Sequence, residues 1–466
     1  MAKLDFQVDR RAQEPVTEQI TRALRTAIAA GQLAPGARLP SWRDLASQLG
    51  VARGTVQAAY ESLIDAQLVV SSGAAGTHVA KQVPPSPVDG ARPVATLRDP
   101  IADYPRAPGV FQMGVPAQDG FPSKLWSRIY TRAARESAGA EPRYPDPRGE
   151  PALRAAIAAY VAVARGIACS PAQVFVTGGL AAGVGLAVMA LGLKGQAWLE
   201  DPAYPPTRRL LAALGLACVP VPVDAEGLDV AAGERLAPDA ALAVVTPGAQ
   251  APLGVVMSPA RRHALVDWAA RSGAWLLEDD YLGELQLQGR AVPSLAATDG
   301  GERVLHIGTF SKTISPTLRL GFVVVPAGQV ACFDEASVLG GSAPTPSLQW
   351  AVAEFLRDGH LLRHLRRMKR LYLQRRDGLV ACLQAAGVTH RPTTLAVLLR
   401  LPTGVSDVDL TRSARQHGLA PVPLSPWYAA PAAGRHGLLL GITNLLPQEA
   451  AEHWARLKAL IDQAAS

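Results

Sequence analysis

The chain has 466 residues, with 46 Lys+Arg against 39 Asp+Glu for a formal net charge of +7, and 48% hydrophobic and 18% charged residues. At roughly 100–200 residues per domain this length suits several domains with large cores, which excludes a peptide hormone, a disulfide mini-fold or a disordered chain. The basic excess allows a polyanionic partner without identifying one.

Val16, Ile20, Leu24 and Ile28 recur at i+4 and Gly31 stands where a helix would stop, so the first element is an amphipathic helix. After the turn LAPGARLP, SWRDLASQLG has Ser41 placed to cap and Leu45 and Leu49 on one face. The short VAR then leads into GTVQAAYESLIDAQ. Two short helices with a tight turn make a helix-turn-helix. LVVSSGAAGTHVA, alternating around Gly73 and Gly76, adds a hairpin as its wing, and the unit is bounded at 13–81. A helix entering a major groove needs small or polar side chains at its N-terminal end, where Arg53, Thr55 and Gln57 sit. Arg43 on the preceding helix is placed for a phosphate, and Gly73, Gly76 and Thr77 let wing amides approach a duplex. Residues 1–80 hold eight Lys/Arg against seven Asp/Glu, so charge alone does not separate a DNA reader from a protein-binding adaptor.

Residues 82–108 are too rich in Pro for a helix or a central strand and read as a linker. From 109 to 466, Ala/Leu-rich helical segments alternate with the short runs QVFVT, AWLED, LAVVT, AWLLEDD and GFVVVP, the rhythm of an α/β domain around a mostly parallel sheet. Residues 357–376 hold eight Lys/Arg against one acid, which reads as a solvated helix face or a second contact to a phosphate backbone. Cys169, Cys218, Cys332 and Cys382 are scattered without C-x-x-C spacing, against a disulfide framework or zinc site and in favour of a reducing, cytoplasmic compartment. The N-terminus lacks the apolar core of a secretory signal. The most apolar stretch, residues 180–193, is too short and Gly-rich to span a bilayer.

In HIGTFSKTISPTLRLGF a strand-like run enters Thr309, Ser311 and Lys312, with Arg319 seven residues past the lysine. A lysine there can form an imine with an aldehyde while hydroxyls and an arginine hold a phosphate, and pyridoxal phosphate carries both groups. Upstream, AWLL ends in Glu278, Asp279, Asp280 and Tyr281 at the carboxyl end of a buried strand, where α/β ligands bind. An aspartate there can keep a pyridine nitrogen protonated, and the tyrosine can donate to a ring phenolate. FVTGGLAAG, with Gly179, offers helix-N-terminal amides to a phosphate, and LEDPAYPP places Tyr204 to stack on the ring.

The run G-x-L-x-P-G-x-x-L-P-S-x-R-x-L-A over 31–46, R-G-T-V from Arg53 and the G-x-x-G-T wing resemble the winged helix of GntR-family bacterial regulators. RYPDPRGEPALRAAIAAY, LEDPAY, EDDY, TPGAQAPLG and the SK-to-RLG segment resemble fold-type-I, aspartate-aminotransferase-like proteins, and the join between the two resembles the MocR-type subfamily. That resemblance implies a small α+β winged helix-turn-helix joined to a large α/β aminotransferase-like domain, a head-to-tail homodimer, operator DNA as partner and an effector sensed rather than turned over. It also implies that Lys312 bonds pyridoxal 5′-phosphate, that Asp279 faces the pyridinium, Tyr281 the phenolate and Tyr204 the ring, and that Gly179, Thr309, Ser311 and Arg319 hold the phosphate.

Three departures qualify it. Leu180 and Ala181 follow Gly179 where family members often carry Gln, which predicts one phosphate donor fewer. The stretch 248–254, Gly-Ala-Gln-Ala-Pro-Leu-Gly, lacks the family's usual polar and aromatic contacts. Leu439 stands where aminotransferases carry a substrate-carboxylate arginine, with Arg435 the nearby candidate to replace it. A regulator sensing an amine or the cofactor itself is therefore favoured over an active aminotransferase with an accessory DNA unit. A cofactor-free dimerisation scaffold is the third reading.

Overall fold

The structure is a computed structural model and describes residues 6–10, 12, 14–73, 76–81, 109–141, 143–287, 292–298, 302–340, 343–430 and 435–465. The chain separates into two units, Met1–Pro100 and Ile101–Ser466. The expected linker, 82–108, lies outside the described residues.

In the first unit, α1 (Val16–Ala29), α2 (Trp42–Leu49) and α3 (Arg53–Asp65) precede strands β1 (Val69–Ser71) and β2 (Thr77–Val79), which pair antiparallel. The i+4 stripe of α1 turns Ile20, Leu24 and Ile28 inward onto Leu45, Val56, Leu63 and Val79. Ser41 caps α2 by accepting from the Asp44 N–H at 3.1 Å. Gly50, at φ 64°, supplies the left-handed residue that ends α2 and sets the tight turn into α3. The Tyr60 hydroxyl donates to the Pro40 carbonyl at 2.9 Å and ties α3 to the entry of α2.

The second unit begins with α4 (Ser123–Gly139), α5 (Pro151–Arg165), β3 (Val174–Thr177), α6 (Leu180–Ala190), β4 (Gly195–Asp201), α7 (Pro205–Ala213), β5 (Leu216–Asp224) and β6 (Gly227–Leu228). It continues through α8 (Val230–Leu236), β7 (Leu242–Val245), α9 (Pro259–Ser272), β8 (Trp275–Asp280), α10 (Leu295–Thr298), β9 (Val304–Thr309), β10 (Gly321–Val324) and α11 (Val330–Gly340). The carboxyl-terminal part is α12 (Pro346–Arg357), α13 (His360–Ala385), β11 (His390–Pro392), β12 (Ala396–Arg400), α14 (Asp407–Gln416), β13 (Val422–Pro423), β14 (Gly437–Gly441) and α15 (Ala450–Ala465).

The large sheet runs β3-β10-β9-β8-β7-β4-β5-β6, and a four-stranded antiparallel sheet runs β11-β12-β14-β13. The centre of the large sheet, β9-β8-β7-β4-β5, is parallel, as the helix–strand alternation predicts. β10 is antiparallel to both β3 and β9. Helices cover both faces: Leu199, Leu277, Ile307 and Val323 bury one face against α6 and α11, while Trp198, Ala243 and Leu276 bury the other against α9. A third core joins α4, α5, α12 and α13 to the small sheet through Ile129, Ile157, Phe355, Tyr372 and Leu440.

Candidate functional site

The carboxyl ends of β4, β7, β8 and β9 share one edge of the sheet because those strands are parallel. The reversed strand β10 brings its amino end there too: Gly321 pairs with Thr177 on one side and Thr309 on the other. Lys312 follows β9, and its ammonium donates to the Gly114 carbonyl at 2.9 Å. Burial pulls its pKa below the usual lysine range, and the Asp279 carboxylate draws it partly back. Gly114 leaves room for it, since a Cβ there would meet Nζ at 3.0 Å.

Three consecutive acids end β8, and strand alternation gives them different partners. Glu278 accepts from the Leu295 N–H at 3.0 Å and lies 3.0 Å from His306 Nδ1, which holds it down to about 2 against the cost of burial. Asp280 takes the Arg165 guanidinium at 2.5 Å. Asp279, between them, has no cation within ion-pair distance among the described residues, and it keeps part of its surface open. Burial, Asp280 and Glu200 push its carboxyl up to about 7, with Lys312 opposing. A buried acid of this kind is completed by a cationic N–H.

Gly179 and Arg319 form a second cradle. Gly179 starts α6 at φ 105°, a conformation that favours glycine, and a Cβ on it would lie 3.9 Å from Arg319 Nη2. A Cβ at Gly321 would meet the Gly308 carbonyl at 2.8 Å and Gly179 Cα at 3.1 Å, so small residues let these backbones close up. Arg319 is exposed, stands in the left-handed region at φ 47°, and has no carboxylate partner among the described residues. That conformation costs a non-glycine residue on the order of 1 kcal/mol. The Thr309 hydroxyl donates to Ser311 Oγ at 3.1 Å and accepts from the Ser311 N–H at 3.2 Å, which orders the hydroxyls beside this cradle.

The Tyr281 hydroxyl donates to the Ala249 carbonyl at 3.0 Å, and burial followed by the nearby acids raises its pKa far above the usual phenol range. Tyr204 is the N-cap residue just before α7, is 38% exposed, and its ring lies 5.8 Å from that of Trp427. In the stretch that departs from the family pattern, Gln250 is structural: it donates to Glu200 at 3.3 Å and to the Pro202 carbonyl at 2.7 Å. Leu439 is fully buried with Leu398, Leu424 and Trp427, against Met113 and Leu253. Arg435 is engaged elsewhere, over the Tyr428 ring at 4.5 Å and 3.8 Å from the Asp201 carboxylate.

Sequence reasoning missed Glu200 and the Gly114 carbonyl. Glu200 is fully buried, accepts from the Thr246 N–H at 3.1 Å, and is raised to about 7 by burial. The acid in LEDPAY was a usable signal for it. Nothing in the sequence marked Gly114, because its contact with Lys312 bridges 198 positions of chain.

In the first unit Arg43, Arg53 and Gln57 are exposed and Thr55 is half-buried. Arg53 opens α3, Arg43 lies over the Trp42 ring at 4.8 Å, and Gln57 donates to Glu61 at 3.0 Å. Gly76 and Thr77 are half-buried in the wing. Arg38 joins them unpredicted: a Cβ at Gly76 would touch its Nε at 3.0 Å, so Arg38 lies against the wing. Its place inside PGARLP was the available signal.

Fold and sites together define a winged-helix unit joined to an aminotransferase-fold unit. Residues 16–79 match the model for bacterial regulatory proteins of the gntR family, and 118–441 that for aminotransferase class I and II. The chain is 33% identical to the probable rhizopine catabolism regulatory protein MocR of Rhizobium meliloti, over 95% of this chain and 92% of that one. It is 32% identical to the HTH-type pyridoxine biosynthesis transcriptional regulator PdxR of Corynebacterium glutamicum, over 78% and 77%. Its fold is similar to the crystal structure of LysN, the α-aminoadipate aminotransferase of Thermus thermophilus, which is complexed with a phosphopyridoxyl-leucine. The TM-score is 0.67 at 25% identity, over 76% of this chain and 92% of that one. The chain belongs to the MocR-type subfamily of GntR-family regulators. Pyridoxal 5′-phosphate is the cofactor of this fold, and the donor set fits it: a desolvated amine, an acid without a cation, and an unpaired arginine beside a glycine-started helix. No described helix is long and apolar enough to cross a membrane.

Proposed function

We propose that this chain is a cytoplasmic, pyridoxal-phosphate-dependent transcriptional regulator that senses a ligand and does not turn it over. Residues 13–81 bind operator DNA, 82–108 tether, and 109–466 hold the cofactor and dimerise head-to-tail. When bound, pyridoxal phosphate supplies an aldehyde carbon that accepts amines. Lys312 provides the resident amine, Asp279 holds a proton at the ring nitrogen, and Tyr281 and Tyr204 face the ring's oxygen and plane. Arg319, Thr309, Ser311 and the amides after Gly179 bind the phosphate. Anything that engages Lys312 Nζ competes with its bond to Gly114, which links the ligand site to the segment entering the large unit.

The observation that carries the choice of sensing over turnover is Leu439. An apolar cluster occupies the place of a carboxylate-gripping arginine, and Arg435 is held by Asp201 and Tyr428. Losing a charge-assisted pair removes about 1.5–3 kcal/mol and the orientation that amino-acid chemistry needs. The favoured effector is therefore an amine without an α-carboxylate, or the cofactor itself. Coupling to DNA requires that the effector prefer one arrangement of the protein.

The test mixes cofactor-loaded full chain with primary amines that carry or lack an α-carboxylate, and follows pyridoxamine phosphate formation alongside duplex-DNA affinity. The expected result is a spectral response to a carboxylate-free amine or to added cofactor, a change in DNA affinity of about fivefold or more, and no repeated turnover. Sustained turnover of an α-amino acid with unchanged DNA affinity would establish the aminotransferase reading instead.

A further inference from the structure

From the geometry of α13 we infer that the large unit carries a phosphate-backbone contact of its own. The inference rests on the DNA-binding reading above. α13 is amphipathic in an unusual way. Its inner face buries Leu361, Leu365, Met368, Tyr372 and Leu379, and its outer face exposes Arg363, Arg366, Arg367 and Arg370. These four recur at i, i+3, i+4 and i+7, so they form one stripe about 10 Å long.

Three other cations of this run are already paired, while the half-buried Lys369 has no carboxylate within ion-pair distance among the described residues. Arg357 meets Asp358 at 3.2 Å, Arg376 meets Asp377 at 2.8 Å, and the inward-facing Arg375 meets Asp119 at 2.5 Å. The stripe is different: among the described residues no carboxylate lies within ion-pair distance of Arg363, Arg366, Arg367 or Arg370, and Arg363 contacts the Asp358 carbonyl at 2.8 Å and His360 Nδ1 at 2.7 Å. Asp119, the one acid lining the cleft of 500 Å³ beside Arg363, Arg367 and Arg370, is neutralised from beneath by Arg375.

Like charges at these spacings destabilise a helix, so an unpaired stripe is maintained against its own repulsion. Four guanidinium groups, each able to hold a phosphate bidentately, are arranged along the stripe to meet successive phosphates of a DNA backbone. A duplex is thus the occupant the chemistry favours. An acidic face of a second copy is the competing one.

The experiment measures binding of the cofactor-loaded full chain to a labelled duplex of arbitrary sequence between about 50 and about 200 mM salt. It compares the parent with Arg363→Gln/Arg367→Gln/Arg370→Gln and with Arg53→Ala. Each lost phosphate contact lowers the slope of log affinity against log salt by about 0.9, so the triple variant should lose about 2–3 in slope and Arg53→Ala about 1. The cofactor's visible spectrum and the sedimentation mass should not change in the triple variant. Parent-like slope and affinity in the triple variant would overturn the inference and leave the winged-helix reading standing, which Arg53→Ala tests separately. A fall in sedimentation mass would assign the stripe to a subunit contact. Failure of the parent to bind any duplex would overturn both readings.

Discussion

In the winged helix the residues placed for DNA, Arg43, Arg53 and Gln57, stand outside a finished apolar core. In the large unit Lys312 and Asp279 are drawn into the protein, and the sheet edge leaves them incomplete. The first surface keeps its charges solvated, so it costs the fold little and selects a partner by shape and sequence. The second holds ionisable groups out of water with too few partners, so the ligand becomes part of the structure and its arrival changes the electrostatics around it. A chain that both reads DNA and responds to a small molecule needs one surface of each kind.

The largest way to break this contrast is Leu63→Ala, which empties a fully buried position of α3. Large-to-small core changes of this type cost about 2–5 kcal/mol. In so small a unit, DNA binding should be lost at physiological temperature while the visible spectrum of the bound cofactor stays intact. Loss of both signals would show that the two surfaces share one folding unit.

Asp279→Asn sharpens the electrostatic half. The folded carboxyl, at about 7 against its ordinary 3.8, takes up a proton that the unfolded chain releases. Stability of the cofactor-free protein therefore falls as pH rises from about 4 to about 7. Asparagine removes this penalty, so the cofactor-free variant should match the parent near pH 4 and exceed it at pH 8 by at most about 4 kcal/mol. Unfolding curves across pH would read this directly, and an unchanged pH slope would mean that the acid is already paired.

Arg319→Ala is the smallest of the three. It should weaken cofactor binding by about 1.5–3 kcal/mol, as expected for a charged hydrogen-bonding partner, and leave the DNA affinity of the cofactor-free protein as it was. Equilibrium titration of the parent and of Arg319→Ala with pyridoxal phosphate gives the comparison. An affinity equal to the parent's would place the phosphate elsewhere.

Much of this was legible in the residues. The i+4 stripe of α1, the Ser41 cap and the Gly-bounded wing announce the first unit because local spacing and local sterics fix them. The apolar runs ending in Glu278-Asp279-Asp280-Tyr281 and the Thr309-to-Arg319 segment announce a strand-end site for the same reason. The rest depends on neighbours. Alternation puts Asp279 on the opposite side from Glu278 and Asp280, yet only His306 and Arg165 reveal which side is already satisfied. The direction of β10 follows from its pairing with β3 and β9, not from GFVVVP. The basic run of α13 divides into inward Arg375 and outward Arg363, Arg366, Arg367 and Arg370 only when packed, since composition carries no facing.

The reversed strand β10 also bears on how the protein matures. β3 is an edge strand of the large sheet and pairs with it only through β10, so residues synthesised early in the unit wait for a partner synthesised much later. Until that strand docks, Gly179 and Arg319 belong to unconnected stretches of chain. A polypeptide ending at residue 320 would carry both residues proposed to hold the phosphate without the strand that brings them together. On the proposed assignment of Gly179 and Arg319 to the phosphate, cofactor retention is expected only once β10 has docked between β3 and β9.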